Sequence, residues 1–450
     1  MRMSFSARSR SASVKVAIIA FLTLILLIPI GMIKNIVVDR QNNAAVAAFD
    51  IRNSWGGDQV VTGPVLKLPY ELEDETVYGL SYVDEKYVYL LADELQINAA
   101  VLTEIRYRGM HKVPVYGSII KITGRVDFSA LERLGLTRDQ IRWAGAELIV
   151  GVNDPMALSK IPVVSLNAQH VSFQAGGKAI DGLVAELRAP LGKALDAAQA
   201  QGPLQLDISL SLNGSGSLRF FPLAENAQVS MSSNWGSPSF VGRQLPSSRE
   251  IRGDGFDASW HSTRLGRKLP AAWTSPQDPK YFAAEHAFGT RFIEPVGQYQ
   301  VIERSTKYAV LVVGLTFVAY FLMEVVAKLR LHPLQYLLVG LANTLFYLLL
   351  LSMSEHLGFT AAYCLSAAAS TVLIAGYSAA VLTSRPRAFL IAAVMTALYA
   401  FLYMTLKAES YALLAGSIGL WLALAVVMYL TRGINWYADD DFAQKQAGPV

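Results

Sequence analysis

Residues 16 to 33 read VAIIAFLTLILLIPIGMI, an uncharged run that sets the organisation of the whole chain. An α-helix rises about 1.5 Å per residue, so crossing a hydrocarbon core of roughly 30 Å takes about 20 predominantly apolar residues. Five further stretches approach or meet that length: 308–327, 334–353, 360–382, 388–406 and 411–430. No such run occurs between residues 34 and 305. The sequence therefore predicts an α+β membrane protein with six transmembrane helices, one N-terminal and five C-terminal, and a large domain inserted between the first and second. The composition agrees, because 53% hydrophobic and 16% charged residues over 450 positions is too apolar for an ordinary soluble protein.

Orientation follows from Lys and Arg near the helix ends, which are retained on the cytoplasmic side. Arg2, Arg8, Arg10 and Lys15 precede the first span. With that basic tail (1–15) inside, the inner loops carry Lys328 with Arg330, then Arg385 with Arg387, then Arg432. The outer loops hold only Lys407 beside Glu409, and the pair Glu355 and His356. Both termini are thus expected in the cytoplasm of a bacterial inner membrane, with the 34–305 domain in the periplasm, the bundle at 306–432 and a cytoplasmic tail at 433–450. A cleaved signal peptide is the rival for 16–33, but small residues of the A-x-A type occur only at Ala45–Ala47, too far beyond the apolar core. The single cysteine, Cys364, has no partner, so the inserted domain is expected to rely on its own core rather than on a disulfide. The net charge of +4 is mostly topology charge and gives no reason to propose nucleic acid.

The first helix is expected to continue through KNIVVDRQNNAAVAAFDIRN (34–53), which lacks Gly and Pro, and to stop at Gly56-Gly57. Beyond it the period changes to two. DQVVTGPVLKLPY, KYVYLL, ELQINAAVLTEIRYRG, KVPVYGSIIKITGRVDF and AELIVGV are rich in Val, Ile, Tyr and Thr, as strands are. Thr137 and Gln140 have capping-box spacing for a helical turn. In LQLDISLSLNG, Leu204, Leu206, Ile208, Leu210 and Leu212 alternate with polar residues, which predicts a half-buried strand. Asn213-Gly214 then reads as a hairpin turn, with SGSLRFFPL returning as the partner strand. Leu183, Leu187, Leu191 and Leu195, four apart, predict an amphipathic helix divided by Pro190. The domain is read as a sandwich-like pair of β-rich halves, 55–175 and 203–300, separated by that helix.

The sequence contains no H-E-x-x-H, G-x-S-x-G, P-loop, Rossmann glycine fingerprint or C-x-x-C pair, and its six histidines lack metal-ligand spacing. No catalytic, cofactor or metal residue is nominated. An ionisable residue inside a span is costly and often functional. Glu324 is such a residue, but Lys328 follows four positions on, in the favourable order for an ion pair. Asn343 lies near the middle of the third span, where an interhelical hydrogen bond is the simpler reading and a transport site the sharper one. The small residues of CLSAAASTVLIAGYSAA suggest that the fourth span is central in the bundle. In the inserted domain, residues 232–270 mix Trp235, Phe240, Phe256 and Trp260 with Arg243, Arg249, Arg252, Arg264 and Arg267. Aromatics and arginines on loops suit a binding surface; the bland alternative is that the aromatics are core and the arginines solvated. Ser354, Glu355 and His356 fall in a short outer turn, where the Glu-His pair could dock the inserted domain.

Several segments together resemble the CreD family of bacterial inner-membrane proteins: SWGGDQVVTGPVLKLPY, RYRGMHKVPVYGSIIKITGRVDF, SNWGSPSFVGRQLP followed by GFDASW, EPVGQYQVIERSTKYAVLVVGLTFVAYFLMEV and LQYLLVGLANTLFYLLLLSMSEHLGF. They run in the family's order from the first span to the last. The family tends to carry Trp-Pro-His-Pro-Ser-Phe where this chain has Trp235-Gly236-Ser237-Pro238-Ser239-Phe240, so any chemistry of that histidine is absent here. The resemblance implies a cell-envelope integrity protein linked to colicin tolerance, β-lactam response and two-component control, with no established enzymatic activity. The expectation is a non-enzymatic inner-membrane protein without cofactors, whose partners are membrane lipids and an envelope component such as peptidoglycan, lipid or another envelope protein. The rival is a carrier or channel for a lipid or small solute, passing by Asn343 and Glu324. Oligomeric state leaves no mark in a single sequence.

Overall fold

The computed structural model describes residues 12–71, 86–166, 169–176, 186–195, 202–267, 270–275, 286–292, 297–327, 329, 331–408 and 411–432. The tail residues Arg2, Arg8 and Arg10, the loop residues Lys328, Arg330 and Glu409, Leu183 and the tail 433–450 lie outside them. The chain divides into a helical unit, Met1–Asn43 with Val296–Val450, and a β unit, Ala44–Pro295.

Helix α1 runs unbroken from Ala12 to Trp55, as its composition predicts, and ends where Gly56 adopts φ +116°. A side chain at Gly56 would strike Ala157, and the left-handed φ adds its own penalty. In the helical unit, α2 (Gln298–Lys307) precedes α3 (Ala309–Val326), α4 (Pro333–Leu357), α5 (Phe359–Val381), α6 (Arg385–Lys407) and α7 (Ala412–Thr431). Among the described residues, six helices, α1 and α3 to α7, are long and apolar enough to cross a membrane. Pro333 opens α4 at the position a helix tolerates best, and the His332 ring accepts the Leu334 amide at 3.2 Å. His332 is therefore a helix cap.

The expected place of the fourth span is overturned. The most buried span is α4, with 56% of its apolar window enclosed against 22% for α5. Small residues let α5 approach α4 and α6 closely, but its other face, with Leu365, Val372 and Leu373, stays open. Close packing concentrates elsewhere: a Cβ at Gly340 of α4 would lie 2.2 Å from Leu26 of α1, and one at Gly419 of α7 would lie 2.2 Å from Phe401 of α6. The turn between α4 and α5 is Gly358 alone, with φ +76°, so Ser354, Glu355 and His356 form the last turn of α4 rather than a loop.

The β unit contains sixteen described strands. They are β1 (Gln59–Tyr70), β2 (Lys86–Arg108), β3 (His111–Val126), β4 (Glu147–Val152), β5 (Val163–Leu166), β6 (Gln169–Ser172), β7 (Gln174–Ala175), β8 (Glu186–Pro190), β9 (Leu204–Ser215), β10 (Ser217–Pro222), β11 (Ala224–Ser233), β12 (Pro238–Val241), β13 (Ser248–Arg252), β14 (Gly255–Thr263), β15 (Ala272–Thr274) and β16 (Phe288–Phe292). The long β2 belongs to two ladders: Lys86–Leu91 pairs with β1, and Glu94–Arg108 pairs with β3. One core holds Leu66, Leu68 and Leu148 from the first ladder and Ile97, Ile122 and Ile208 from the second, which is the sandwich-like arrangement. The strict alternation in β9 puts Leu204, Leu206, Ile208, Leu210 and Leu212 inside.

Three sequence expectations fail here. Residues 55–175 and 203–300 are not separate halves, since β1 pairs with β10, β2 with β11 and β3 with β9. Asn213-Gly214 is not a hairpin turn either. Both lie inside β9, opposite Gly117 and Tyr116, and a Cβ at Gly214 would sit 2.3 Å from the Tyr116 hydroxyl. Glycine is needed there for close approach, and the chain turns at Gly216 (φ +83°) so that β10 pairs with β1 and β16. Finally, Leu187 and Pro190 lie in β8, not in a helix; Leu187 pairs with Val150 of β4, and Leu191 and Leu195 are buried in the turn that follows. Pairing with β4 outweighed the helical leucine spacing. The Thr137 turn forms as expected, with the Gln140 side chain accepting the Thr137 amide at 2.8 Å.

Candidate functional site

In the helical unit, polar side chains follow one buried face of α4. Tyr336, Asn343, Tyr347 and Ser354 recur at helical spacing, and all four are 4% exposed or less. From Tyr336 to Glu355 this face spans roughly 28 Å, about the hydrocarbon thickness. An acid closes each end.

At one end, the Glu324 carboxylate is 3% exposed. It takes the Lys15 ammonium at 2.5 Å, the Tyr336 hydroxyl at 2.8 Å and the Leu331 amide at 3.1 Å. Lys328, the partner expected from i,i+4 spacing, lies outside the described residues. At the other end, Glu355 faces Arg40 at 3.8 Å and accepts the Tyr299 hydroxyl at 3.2 Å. Burial, and after it the Glu355 charge, pushes the Tyr299 hydroxyl above its usual range, so it stays a donor. Glu355 is thus held by an ion pair within the helical unit, and His356 is exposed beside it. Both acids hold cations of α1, twenty-five residues apart. The sequence signal was a base near each end of the first span, at Lys15 and Arg40.

Between these ends sits an uncharged cluster. The Asn343 carbonyl accepts the Tyr399 hydroxyl at 3.0 Å, and the Tyr363 hydroxyl donates to the Tyr399 carbonyl at 2.7 Å. Phe346 packs against both rings, with centroids 4.5 and 5.4 Å away. This supports the interhelical hydrogen bond read for Asn343. The Asn343 amide nitrogen and the Tyr347 hydroxyl have no hydrogen-bond partner among the described residues. A sign difference follows. Tyr399→Phe should cost about 1–3 kcal/mol by leaving the Asn343 oxygen unpaired, whereas Tyr347→Phe should leave stability unchanged or raise it. Thermal unfolding of the two variants in the same detergent checks this.

In the β unit, the aromatics expected on a binding surface are largely core. Trp260 and Phe256 are fully buried, and Phe240 stands edge-on to both, with centroids 5.9 and 5.8 Å away. Trp235 is half-buried, its indole donating to the Ser237 carbonyl at 3.1 Å. Among the arginines, Arg252 is tied to Glu250 and Asp257, Arg264 to Glu225, and Arg249 lies 5.9 Å over the Phe240 ring; Arg243 is exposed. The Arg267 side chain lies outside the described residues. The candidate surface therefore loses Trp260 and keeps Arg243, Arg249 and Arg252. No group of three or more His, Cys, Asp or Glu side chains among the described residues could hold a metal ion.

Among the described residues, six apolar helices, with sixteen strands inserted between the first and second, define a multi-pass membrane protein with an inserted β-rich domain. Residues 11–437 match the family model described as Inner membrane protein CreD. The chain is 31% identical over 423 residues to Inner membrane protein CreD of Escherichia coli (strain K12), covering 92% of this chain and 91% of that one. It belongs to the CreD family and is an inner-membrane protein. Among solved structures, an M1 zinc metallopeptidase from Deinococcus radiodurans (11% identity, 38% of each chain, TM-score 0.17) bears too slight a likeness to carry an argument. The same holds for a putative protease from Parabacteroides distasonis (11% identity, 66% of this chain and 58% of that one, TM-score 0.23).

Proposed function

We propose that this chain is a non-enzymatic protein of cell-envelope integrity and stress response, whose β unit lies in the periplasm and binds or organises an envelope component. The observation that carries this reading is the placement of charge. Lys15, Arg385, Arg387 and Arg432 all border the side opposite to the inserted unit when the spans are threaded in order. The termini are then cytoplasmic. Support for binding rather than catalysis comes from the absence of a nucleophile–base or metal constellation in the sequence, and from the ion-paired state of both membrane-end acids.

Cysteine labelling tests the orientation. In a Cys364→Ala background, a membrane-impermeant maleimide applied to spheroplasts should modify Lys160→Cys and leave Arg432→Cys untouched until the membrane is opened. The reverse pattern would sink the reading. The carrier alternative draws on the two unpartnered polar groups in the bundle. It requires that Asn343→Leu abolish solute flux in reconstituted vesicles, whereas the envelope reading expects envelope phenotypes unchanged in that variant.

A further inference from the structure

The outer face of the second ladder is built unlike the aromatic loops. Pairing register places side chains in straight rows across six strands, β13, β14, β11, β2, β3 and β9. One row reads Ser248, Ser259, Ser230, Asn98, Lys121, Ser209, and the next Glu250, Asp257, Ser232, Ala100, Ile119, Ser211. Two adjoining depressions of about 580 Å³ each lie along these rows and share Ala100, Ile119, Ser232 and Asp257. Ile119 is 55% exposed in the floor and Leu102, beside it, 70%. Ser230, Ser232 and Ala100 keep the floor low in the middle of the sheet.

On this face the lining carries three cations, Lys121, Lys160 and Arg252, against two carboxylates, Glu250 and Asp257; Arg249 pairs with Ala258 and turns to the opposite face, over the Phe240 ring. Arg252 pairs with both carboxylates. Lys121 and Lys160 have no carboxylate partner among the described residues, which leaves uncompensated positive charge along a hydroxyl-rich floor.

We propose that this platform binds an anionic polysaccharide lying across the strands. The proposal rests on the reading of the β unit as an exported binding domain and names its ligand class. Neighbouring strands are about 4.8 Å apart, so six strands present a ladder of hydroxyl and amide groups about 24 Å long. A β-linked pyranose chain repeats at close to that spacing and meets each strand with a fresh set of hydroxyls. An extended polypeptide returns a side chain to the same face only every ~6.6 Å and falls out of step by the second strand. Lys121 and Lys160 supply the charge that selects carboxylate-bearing sugars over neutral ones.

The test uses the full chain in nanodiscs, titrated with labelled β-(1→4)-linked oligomannuronate, neutral chito-oligosaccharide and polyglutamate. Oligomannuronate is expected to bind best and to weaken as salt rises. Its affinity should fall at least tenfold in the combined Lys121→Glu, Lys160→Glu variant. It should fall similarly in Ala100→Leu, which fills the shared floor without changing charge. Equal binding of polyglutamate, or oligomannuronate binding that ignores both variants, overturns the proposal. A photo-crosslinking residue at Ile119 that captures only protein in cells overturns the glycan class while leaving the envelope-binding reading intact. That reading fails separately, by the cysteine-labelling pattern.

Discussion

Lys15→Ala is expected to destabilise the helical unit by about 3–5 kcal/mol, and to do more damage than Glu324→Ala. The asymmetry comes from exposure. The Glu324 carboxylate is 3% exposed, while the Lys15 side chain is 31% exposed. Removing the lysine strands a buried anion, with the Tyr336 hydroxyl and the Leu331 amide as its remaining donors. Removing the glutamate strands an ammonium that can turn toward water and lipid headgroups, so the loss falls below that range. The double variant should cost less than the two singles added, because the second change removes the group the first left unpaired. Thermal unfolding of the detergent-solubilised chain reads all three. Equal melting temperatures for wild type and Lys15→Ala would mean that the pair contributes nothing and that Glu324 is held by its other donors.

Trp260→Ala should cost about 3–5 kcal/mol, in the stability of the β unit rather than in ligand binding. Its ring is fully buried beside Phe240 and Phe288, with centroids 5.9 and 6.0 Å away. Truncation leaves a cavity bounded on several sides by other aromatics. Trp260→Phe should cost much less, because the indole nitrogen has no hydrogen-bond partner among the described residues and only volume is lost. Chemical denaturation followed by near-ultraviolet dichroism separates the two variants. A Trp260→Ala protein of unchanged stability that had lost its ligand would return this residue to a binding surface.

The division of roles between Trp260 and Arg252 shows where sequence reading stops. Both stand in one aromatic- and arginine-rich stretch, and composition assigned them a common role. Period-two alternation along β14 sends Phe256, Ala258 and Trp260 inward and Asp257 outward. That alternation could have been read from GFDASWHST, had the stretch been taken as a strand rather than as loops. The serine rows could not have been read in this way. Ser230, Asn98 and Lys121 become neighbours only through strand register, and each is unremarkable in its own segment.

By itself the sequence determined the six apolar helices, the unbroken extension of the first, the alternating strand β9 and the β-rich character of the insert. These are local properties. A helix in hydrocarbon must satisfy its own backbone and be apolar along its own length, and a half-buried strand writes its two faces into alternate residues. Only the tertiary structure decided the partners. It set Lys15 against Glu324 across 309 residues, brought β10 beside β1, and ran β9 straight through Asn213-Gly214. Periodicity tells a residue which way to face. What it meets there depends on chain closures whose free energies are set jointly by every packed element.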